Sequence, residues 1–245
     1  PKIYQKIKKL NVIYQSASKT KIDLEKKEKI ITFVGKLNSA KGYDVFGKAS
    51  IKILKEFQDW KVEVVGDESR EKIFFKHDRF NLNGFKSHKN VLKLLKKTSI
   101  SVVCSRWEEP FGRTSLESTS NGCATIISNK GGLPETTSDA LILKEINVVT
   151  LYKLMKKLIS NKKLRKSLQR NSIKNFYLTN SFVAKKIDAI RINLRKLSIP
   201  VEKKRLKIIH ITNFNERHNG RLFYNTGKRI NNGLIRSNHA VLTIS

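Results

Sequence analysis

The sequence is poor in the residues that mark several specialised protein classes. It has two cysteines, four prolines and one methionine among 245 residues. Cys104 and Cys123 both sit in apolar runs, where a free cysteine acts as a small core residue, so neither a disulfide scaffold nor a zinc site is expected. No apolar stretch approaches the roughly 18 residues of a membrane span, and no signal-peptide core is present, so the expected location is cytoplasmic.

Acidic residues are also scarce. Asp and Glu number 20 against 51 Lys and Arg, which gives a formal net charge of +31. Such a charge attracts anionic surfaces, phosphate-bearing ligands or nucleic acid. The same excess is also explained by lysines that decorate solvated faces, so the charge alone selects no function.

From residue 29 onward, short β-rich apolar runs alternate with segments of helical period, which predicts an α/β fold with a doubly wound parallel sheet. The predicted strands are residues 30–34, 62–65, 80–84, 100–104, 124–127 and 140–143. From Leu151, apolar residues recur at Leu154, Met155, Leu158 and Ile159, which predicts a helix with one buried face. A further helical stretch, residues 161–197, is predicted to close the domain.

Both ends of the chain fall outside this pattern. Residues 1–28 are a lead-in with one strand-like run at 10–14, and Pro200 with the charges after it predicts a linker over residues 200–206. Two strands at 207–212 and 240–244 are predicted to flank a loop at 213–221 and a helix at 222–235. This incomplete β-α-β segment is interpreted as the partial start of a second domain, residues 207–245, or as an addition to the first.

The most informative segment is residues 105–117 (SRWEEPFGRTSLE), which follows a predicted strand and opens a predicted helix. That position is the carboxyl edge of the sheet, where open α/β sheets bind ligands. Gly112 lets the backbone approach a ligand closely. The backbone N–H groups of the next three residues would form an anion site that fits a diphosphate.

Two carboxylates, Glu109 and Glu117, frame this loop and can accept hydrogen bonds from sugar hydroxyls on either side of a bound phosphate. Glu117 has an alternative explanation, because Thr114 and Glu117 have the spacing of a capping box. Glu109, in front of Pro110, has no such structural explanation. Arg106 and Arg113 are candidates for anion contacts or ordinary surface residues.

The segment EPFGRTSLE resembles the E-x(7)-E motif of retaining glycosyltransferases of the GT-B fold, the glycosyltransferase group 1 or family 4 type. Two more motifs agree in order and distance: FVGKLNSAKGYD at 33–44 resembles the family's "VGRL…KG.D", and GCATIISNKGGLPE at 122–135 resembles its "G.P.I…GG.PE". The resemblance covers about residues 30–190. It implies that residues 29–199 are the C-terminal, nucleotide-sugar-binding half of a GT-B fold, with a Rossmann-like sheet.

This resemblance also implies roles for individual residues. Glu109 is the catalytic candidate, lying against the transferred sugar, and Glu117 would bind the nucleotide ribose. The residues expected to bind the donor around its diphosphate are Gly35, Lys36, Lys41, Gly112, Arg113, Thr114 and Ser115. Lys36 stands where the family more often has arginine, so it offers a point charge without a bidentate fork.

The base and the sugar complete the expected donor site. Gly84 and Phe85 match the place where the base is held, although Phe85 is equally explained as core. The sugar pocket would be lined by Gly131, Gly132 and Leu133. His77 and His88 lie in polar loops without ligand-like spacing, so no metal is assigned, and no cofactor is expected besides the nucleotide-sugar substrate.

The resemblance implies metal-independent sugar transfer with retained anomeric configuration to a glycan or lipid-linked acceptor. In that fold a separate N-terminal domain supplies the acceptor site, and residues 207–245 look like the beginning of such a domain, which suggests two units in tandem. The isolated chain is therefore also interpretable as a non-catalytic nucleotide-sugar binder.

Two other partners follow from the charge. A nucleic-acid-binding protein is the weaker alternative, because no helix-turn-helix, zinc finger or RNP pattern accompanies the lysines, and no specific nucleic acid is expected. The basic helix at residues 151–160 suggests peripheral contact with an anionic membrane, at its inner face.

Overall fold

The computed structural model describes residues 11–19, 21–195, 205–211 and 226–244. The chain divides into two compact units between Arg191 and Ile192. The first unit contains every motif that the sequence singled out as functional.

The first unit is built on a parallel sheet, which confirms the predicted α/β class. Its strands are β1 (Glu28–Val34), β2 (Lys61–Val65), β3 (Phe80–Leu82), β4 (Thr98–Val103), β5 (Ala124–Ser128) and β6 (Ala140–Leu143). They lie in the order β3-β2-β1-β4-β5-β6, and every neighbouring pair is parallel. All five residues of β5 are buried, as a parallel strand covered on both faces requires. Each predicted strand is present within two residues at either end.

Helices cover the two faces of this sheet. They are α1 (Tyr43–Glu56), α2 (His88–Lys97), α3 (Arg113–Ser120), α4 (Val148–Ser160) and α5 (Lys162–Asn175). A further helix, α6 (Asn180–Arg195), follows, with Val183 buried in a cluster that includes Phe176 and Leu178. In α4 the predicted apolar stripe is confirmed, because Leu151, Met155, Leu158 and Ile159 are buried and Leu154 packs partly against the core. Cys104 and Cys123 are free and fully buried, as predicted, and burial raises the pKa of the Cys104 thiol to about 12.

Two sequence predictions about flanking elements are wrong. The stretch from residue 161 is two helices, because Phe176 and Leu178 leave the helical path and turn into the core between α5 and α6; residue 197 lies outside the described residues. The strand predicted at 10–14 is absent from the described residues 11–14. Here Tyr14 stacks on Phe111, with ring centroids 5.2 Å apart, and Ala17 forms a single bridge with Thr179. This segment therefore packs on the unit through the Tyr14 ring and through one backbone hydrogen bond, from Ala17 N to the Leu178 carbonyl (3.0 Å).

Lys27 lies just before β1, at the amino end of the sheet, and connects the ends of two helices there. Its Nζ donates to the carbonyl of Leu95 in the last turn of α2 (2.8 Å) and to that of Asn121 at the end of α3 (2.7 Å), and it lies 3.8 Å from Cys123 Sγ. The last carbonyls of a helix have no partner within the helix, so one ammonium satisfies two helix ends. Burial lowers the pKa of Lys27.

The second unit has the predicted β-α-β order. It contains β7 (Lys207–Ile211), α7 (Thr226–Arg236) and β8 (Ala240–Ile244), and the two strands pair in parallel from Lys207 with Ala240 to Ile211 with Ile244. The predicted loop at 213–221 and linker residues 200–204 lie outside the described residues. The division of the chain into lead-in, domain, linker and partial second domain therefore stays a prediction.

Replacing Lys27 with methionine is expected to lower the free energy of unfolding by about 2 kcal/mol, because two helix-end carbonyls lose their donor. Urea denaturation measures this, with Lys26→Met, an exposed neighbour, as a control expected within about 0.5 kcal/mol of the parent.

The difference between the parent chain and Lys27→Met should widen as pH rises. Because the folded pKa of Lys27 is lowered, the unfolded chain holds more protons between that value and the ordinary 10.5, so stability increases with pH across this window. A difference that stays unchanged as the pH rises toward 10.5 would contradict the buried position of the ammonium.

Candidate functional site

The candidate site lies where the strand order of the sheet reverses. Chain order runs from β1 to β3 toward one edge and from β4 to β6 toward the other. Because parallel crossovers are right-handed, α1 after β1 and α3 after β4 cover opposite faces. The loops that follow β1 and β4 therefore part and leave a crevice at the carboxyl edge, where ligands bind in open α/β sheets.

A cavity of about 240 Å³ occupies this crevice. Its walls come from the ends of β1 and β4, the loop after each strand and the first residues of α3; they include Gly35, Lys41, Ser105, Glu109, Gly112, Arg113 and Thr114. The structure thus brings together residues that are more than 70 positions apart in the sequence. Six of the predicted site residues line this one cavity.

Two of the three predicted charged residues that line the cavity contact each other. Lys41 Nζ lies 2.5 Å from Glu109 Oε1, and the two side chains are 30% and 14% exposed. The pair joins the loop after β1 to the loop after β4 across the crevice. An anion that entered the cavity would compete with Glu109 for the lysine.

Helix α3 begins at the floor of this cavity. Its N-cap is Gly112, in the left-handed region at φ 106°, and the first helical hydrogen bond runs from Leu116 N to the Gly112 carbonyl. The N–H groups of the three residues between precede that bond, which is the arrangement that binds anions. The side chains of Thr114 and Ser115 are held elsewhere, Thr114 by the Val34 carbonyl (3.3 Å) and Ser115 by Thr136 (2.6 Å).

Glu117 does not form the capping box that its spacing allowed. Its Oε1 lies 2.9 Å from His88 Nε2 and 2.7 Å from Arg113 Nε, and its side chain is 8% exposed. The helix uses Gly112 as its N-cap, so Glu117 lies two residues beyond the N3 position from which a capping box is formed. His88 is a residue that the sequence reasoning missed, since no local pattern links it to a glutamate 29 positions away.

The turn at Gly131 and Gly132 packs directly on the Glu109 loop. Gly132 N donates to the Glu109 carbonyl (2.7 Å), and Gly131 N donates to the Glu108 carboxylate (2.6 Å). A Cβ at Gly131, where φ is 52°, would overlap the Glu109 carbonyl, so both its conformation and its space require glycine. Leu133 is fully buried against Gly112, and its role in a sugar pocket stays a prediction.

The other predicted residues occupy the same edge. Gly84 lies at φ 61° and its carbonyl accepts from Gly66 N (3.0 Å), while the Phe85 side chain is 62% exposed, which excludes the core interpretation of Phe85. Lys36 is exposed and has no ion pair within the described residues. Roles in ligand binding for these residues stay predictions.

Arg106, an anion candidate from the sequence, is engaged by protein groups. Its guanidinium donates to both carboxylate oxygens of Asp44 (2.7 and 2.9 Å) and to the Ser39 carbonyl (2.5 Å). This contact lowers the pKa of the Asp44 carboxyl. Arg106 therefore clamps the loop after β1 to the loop after β4 and keeps the crevice in shape.

The described residues contain neither a metal-ligand group nor a membrane-spanning helix. In the parts of the chain with a described structure, no group of three His, Cys, Asp or Glu residues is placed to hold a metal ion. Over those same parts, no helix has the length and apolar character needed to span a bilayer.

Comparisons with known proteins agree with this geometry. A family model described as "Glycosyl transferases group 1" matches residues 15–175. Spore coat protein SA of Bacillus subtilis is 27% identical over 125 residues, which are 46% of this chain and 33% of that protein. An uncharacterized glycosyltransferase of Methanocaldococcus jannaschii is 30% identical over 138 residues, 54% of this chain and 34% of that protein. The chain thus spans about one third of the length of these relatives.

Solved structures share the fold. The C-terminal domain of a glycosyl transferase group 1 family protein (LpcC) from Francisella tularensis is 24% identical, with a TM-score of 0.52 over 59% of this chain and 82% of that chain. Anabaena HepE in complex with UDP and glucose is 15% identical, with a TM-score of 0.61 over 76% of this chain and 56% of that chain. At these identities the likeness concerns the fold alone, that of one GT-B half.

Gly131→Ala is expected to lower the free energy of unfolding by about 3 kcal/mol, because left-handed strain adds to the overlap with the Glu109 carbonyl. Gly84→Ala is the matched control: its φ is also positive, but no atom lies within 4 Å of the added Cβ, so only about 1 kcal/mol of strain is expected. Urea denaturation compares the two. Equal losses would mean that the glycine turn does not hold the Glu109 loop.

Proposed function

The chain belongs to the glycosyl transferases group 1 family, and from that premise we propose that it binds a nucleotide-sugar donor in the crevice between β1 and β4. The sugar would pass to a glycan or lipid-linked acceptor with retention of anomeric configuration and without a metal ion. The observation that carries the proposal is the Lys41–Glu109 pair, which lies in a cavity beside the start of α3.

Charge complementarity supports a diphosphate in this cavity. Lys41 offers a positive charge at one wall, and the unpaired N–H groups at the start of α3 offer fixed donors at the other. A departing nucleoside diphosphate gains negative charge during transfer, and donors already in position stabilise that charge without reorganising. When the diphosphate takes Lys41, Glu109 is released toward the sugar, where it acts as the catalytic carboxylate.

The remaining donor groups have places around this centre. Glu117, held by His88 and Arg113, would accept the ribose hydroxyls, and Phe85 would lie against the base. The backbone of the 131–133 turn, packed on the Glu109 loop, would border the sugar. The structural neighbour from Anabaena was solved with UDP and glucose, which supports a donor of this class.

A second proposal concerns the domains and where the acceptor would bind. We take residues 29–199 as the C-terminal donor half and residues 207–245 as the start of a further Rossmann-like domain. In the β7–β8 pair, Ile209, Ile211, Leu242 and Ile244 are exposed, and parallel sheets normally bury both faces, which supports a larger partner layer there. Because the chain spans about one third of its relatives, a donor-binding role without turnover is the second candidate function.

Substitutions at the pair should change nucleoside diphosphate affinity in opposite directions. Lys41→Met is expected to raise the Kd about tenfold or more, because a charge-assisted contact is lost. Glu109→Gln is expected to lower the Kd a few-fold, because the competing carboxylate loses its charge, and to abolish sugar release from the donor. Isothermal titration with UDP, GDP, ADP and dTDP measures affinity, and release of nucleoside diphosphate from the matching sugar nucleotides measures turnover.

Lys130→Met provides the control, since Lys130 pairs with Glu108 at the same edge but does not line the cavity. Its affinity should stay within about twofold of the parent. If the parent chain bound none of the four nucleoside diphosphates, the proposal would be overturned. Binding without turnover by the parent chain would favour the non-catalytic candidate.

A further inference from the structure

An open groove of about 530 Å³ lies on the outer face of α1, in the first unit. It is lined by Lys48, Ile51, Lys52, Lys55, Phe75 and Val148. The four α1 residues are spaced i, i+3, i+4 and i+7, so they form one stripe along the helix. We call this groove with the adjoining residues Lys72, Phe74, Lys76 and Val149 the α1 surface.

The apolar centre of the α1 surface is fixed by packing beneath it. The Phe75 ring occupies the place where a Cβ would lie on Gly47, and it meets Tyr43 edge-on with centroids 5.5 Å apart. In an extended segment successive side chains point to opposite sides, so the seating of Phe75 directs Phe74 outward. Phe74 is 75% exposed, and Val149, beside the groove residue Val148, is 54% exposed.

The rim of the α1 surface is cationic. Lys48, Lys52, Lys55, Lys72 and Lys76 are exposed, and none of them has an ion pair within the described residues. The carboxylates of α1 are already engaged, Asp44 by Arg106 and Glu56 by Lys156 and Tyr152. The lysines on the rim are thus left to act on an external anion.

We propose that the α1 surface docks the protein on an anionic lipid bilayer. Exposed Phe74 and Val149, with the half-buried Ile51 between the lysines of α1, suit the boundary between headgroups and acyl chains. Lysine stems can lie along that boundary while their ammonium groups reach anionic headgroups. A nucleic acid would use the lysines but would leave the aliphatic side chains in water. A lysine stripe of α2, made of Lys89, Lys93 and Lys96, has the charge without this exposed apolar centre.

This surface differs from the one that the sequence suggested. The basic helix at 151–160 carries three exposed lysines, but Lys156 is paired with Glu56. The α1 surface keeps its charge and adds the apolar centre. The inference stands on the surface alone and does not require the proposed transfer reaction.

Vesicle sedimentation tests the inference with the intact chain. The parent chain should bind phosphatidylcholine vesicles that contain roughly 30% phosphatidylglycerol at about 0.1 M salt, and not vesicles of phosphatidylcholine alone. The triple variant K48Q/K52Q/K55Q should bind at least about tenfold more weakly, and Phe74→Ser about threefold more weakly. The matched variant K89Q/K93Q/K96Q removes the same charge from α2 and should stay within about threefold of the parent.

Circular dichroism confirms that each variant is folded before the comparison. Equal losses in the two triple variants would overturn the inference, because binding would then report net charge alone. Failure of the parent chain to sediment with anionic vesicles would overturn it too. If the α1 triple variant lost affinity for a duplex oligonucleotide and kept its vesicle binding, the surface would be a nucleic-acid site and the bilayer proposal would be wrong.

Discussion

The reversal of strand order between β1 and β4 is the constraint on which the rest of the structure depends. Every strand of the first sheet is parallel, so each connection crosses a face of the sheet, and right-handed crossovers send α1 and α3 to opposite faces. The loops that leave β1 and β4 are therefore driven apart at one point of the carboxyl edge. The cavity, the Lys41–Glu109 pair and the start of α3 all lie at that point.

Polar and backbone contacts then hold the parted loops in a fixed relation. Arg106 joins the loop after β1 to the loop after β4 through Asp44 and Ser39, and the 131–132 turn joins the latter loop to the residues after β5. Helix α3 continues this pattern inside the protein, where Ser118 bonds Ser101 of β4 at 2.7 Å. The small serine side chains let α3 approach the sheet closely, and the two buried hydroxyls satisfy each other's hydrogen bonding. These contacts fix the position of the Lys41–Glu109 pair relative to the start of α3.

The lysines of this basic chain fall into distinct physical roles. Lys27 is enclosed by carbonyls at the ends of two helices, and its burial lowers its pKa. Lys41 faces a cavity and is balanced by one carboxylate, whereas those along α1 face solvent beside exposed apolar side chains. The same residue type thus satisfies helix ends, forms an ion pair inside a cavity, or lies in solvent beside exposed apolar side chains. The amino-acid composition gives only the total number of lysines and not their environments.

Particular elements show which parts of the fold and of the candidate site were predictable from the sequence. Short β-rich apolar runs placed all six strands of the first sheet, and helical periodicity placed the buried stripe of α4, because these patterns record which residues face the core. They failed at residues 11–14 and at Phe176 and Leu178, where packing with distant segments decides the conformation. The segment at residues 105–117 indicated Glu109 and the Gly112 turn, the resemblance to the glycosyltransferase family added Lys41, and the cavity is lined by all three.

The sequence by itself determined the parallel α/β sheet and the segments at its carboxyl edge, because hydrophobic periodicity and turn residues act within short windows. Only the tertiary structure decided what those residues contact. It paired Lys41 with Glu109, gave Glu117 to His88 and Arg113 instead of a capping box, used Arg106 as a clamp, and left Phe85 in solvent. Hydrogen bonds and ion pairs act over a few ångströms in space between residues tens of positions apart, a relation that a linear pattern does not encode.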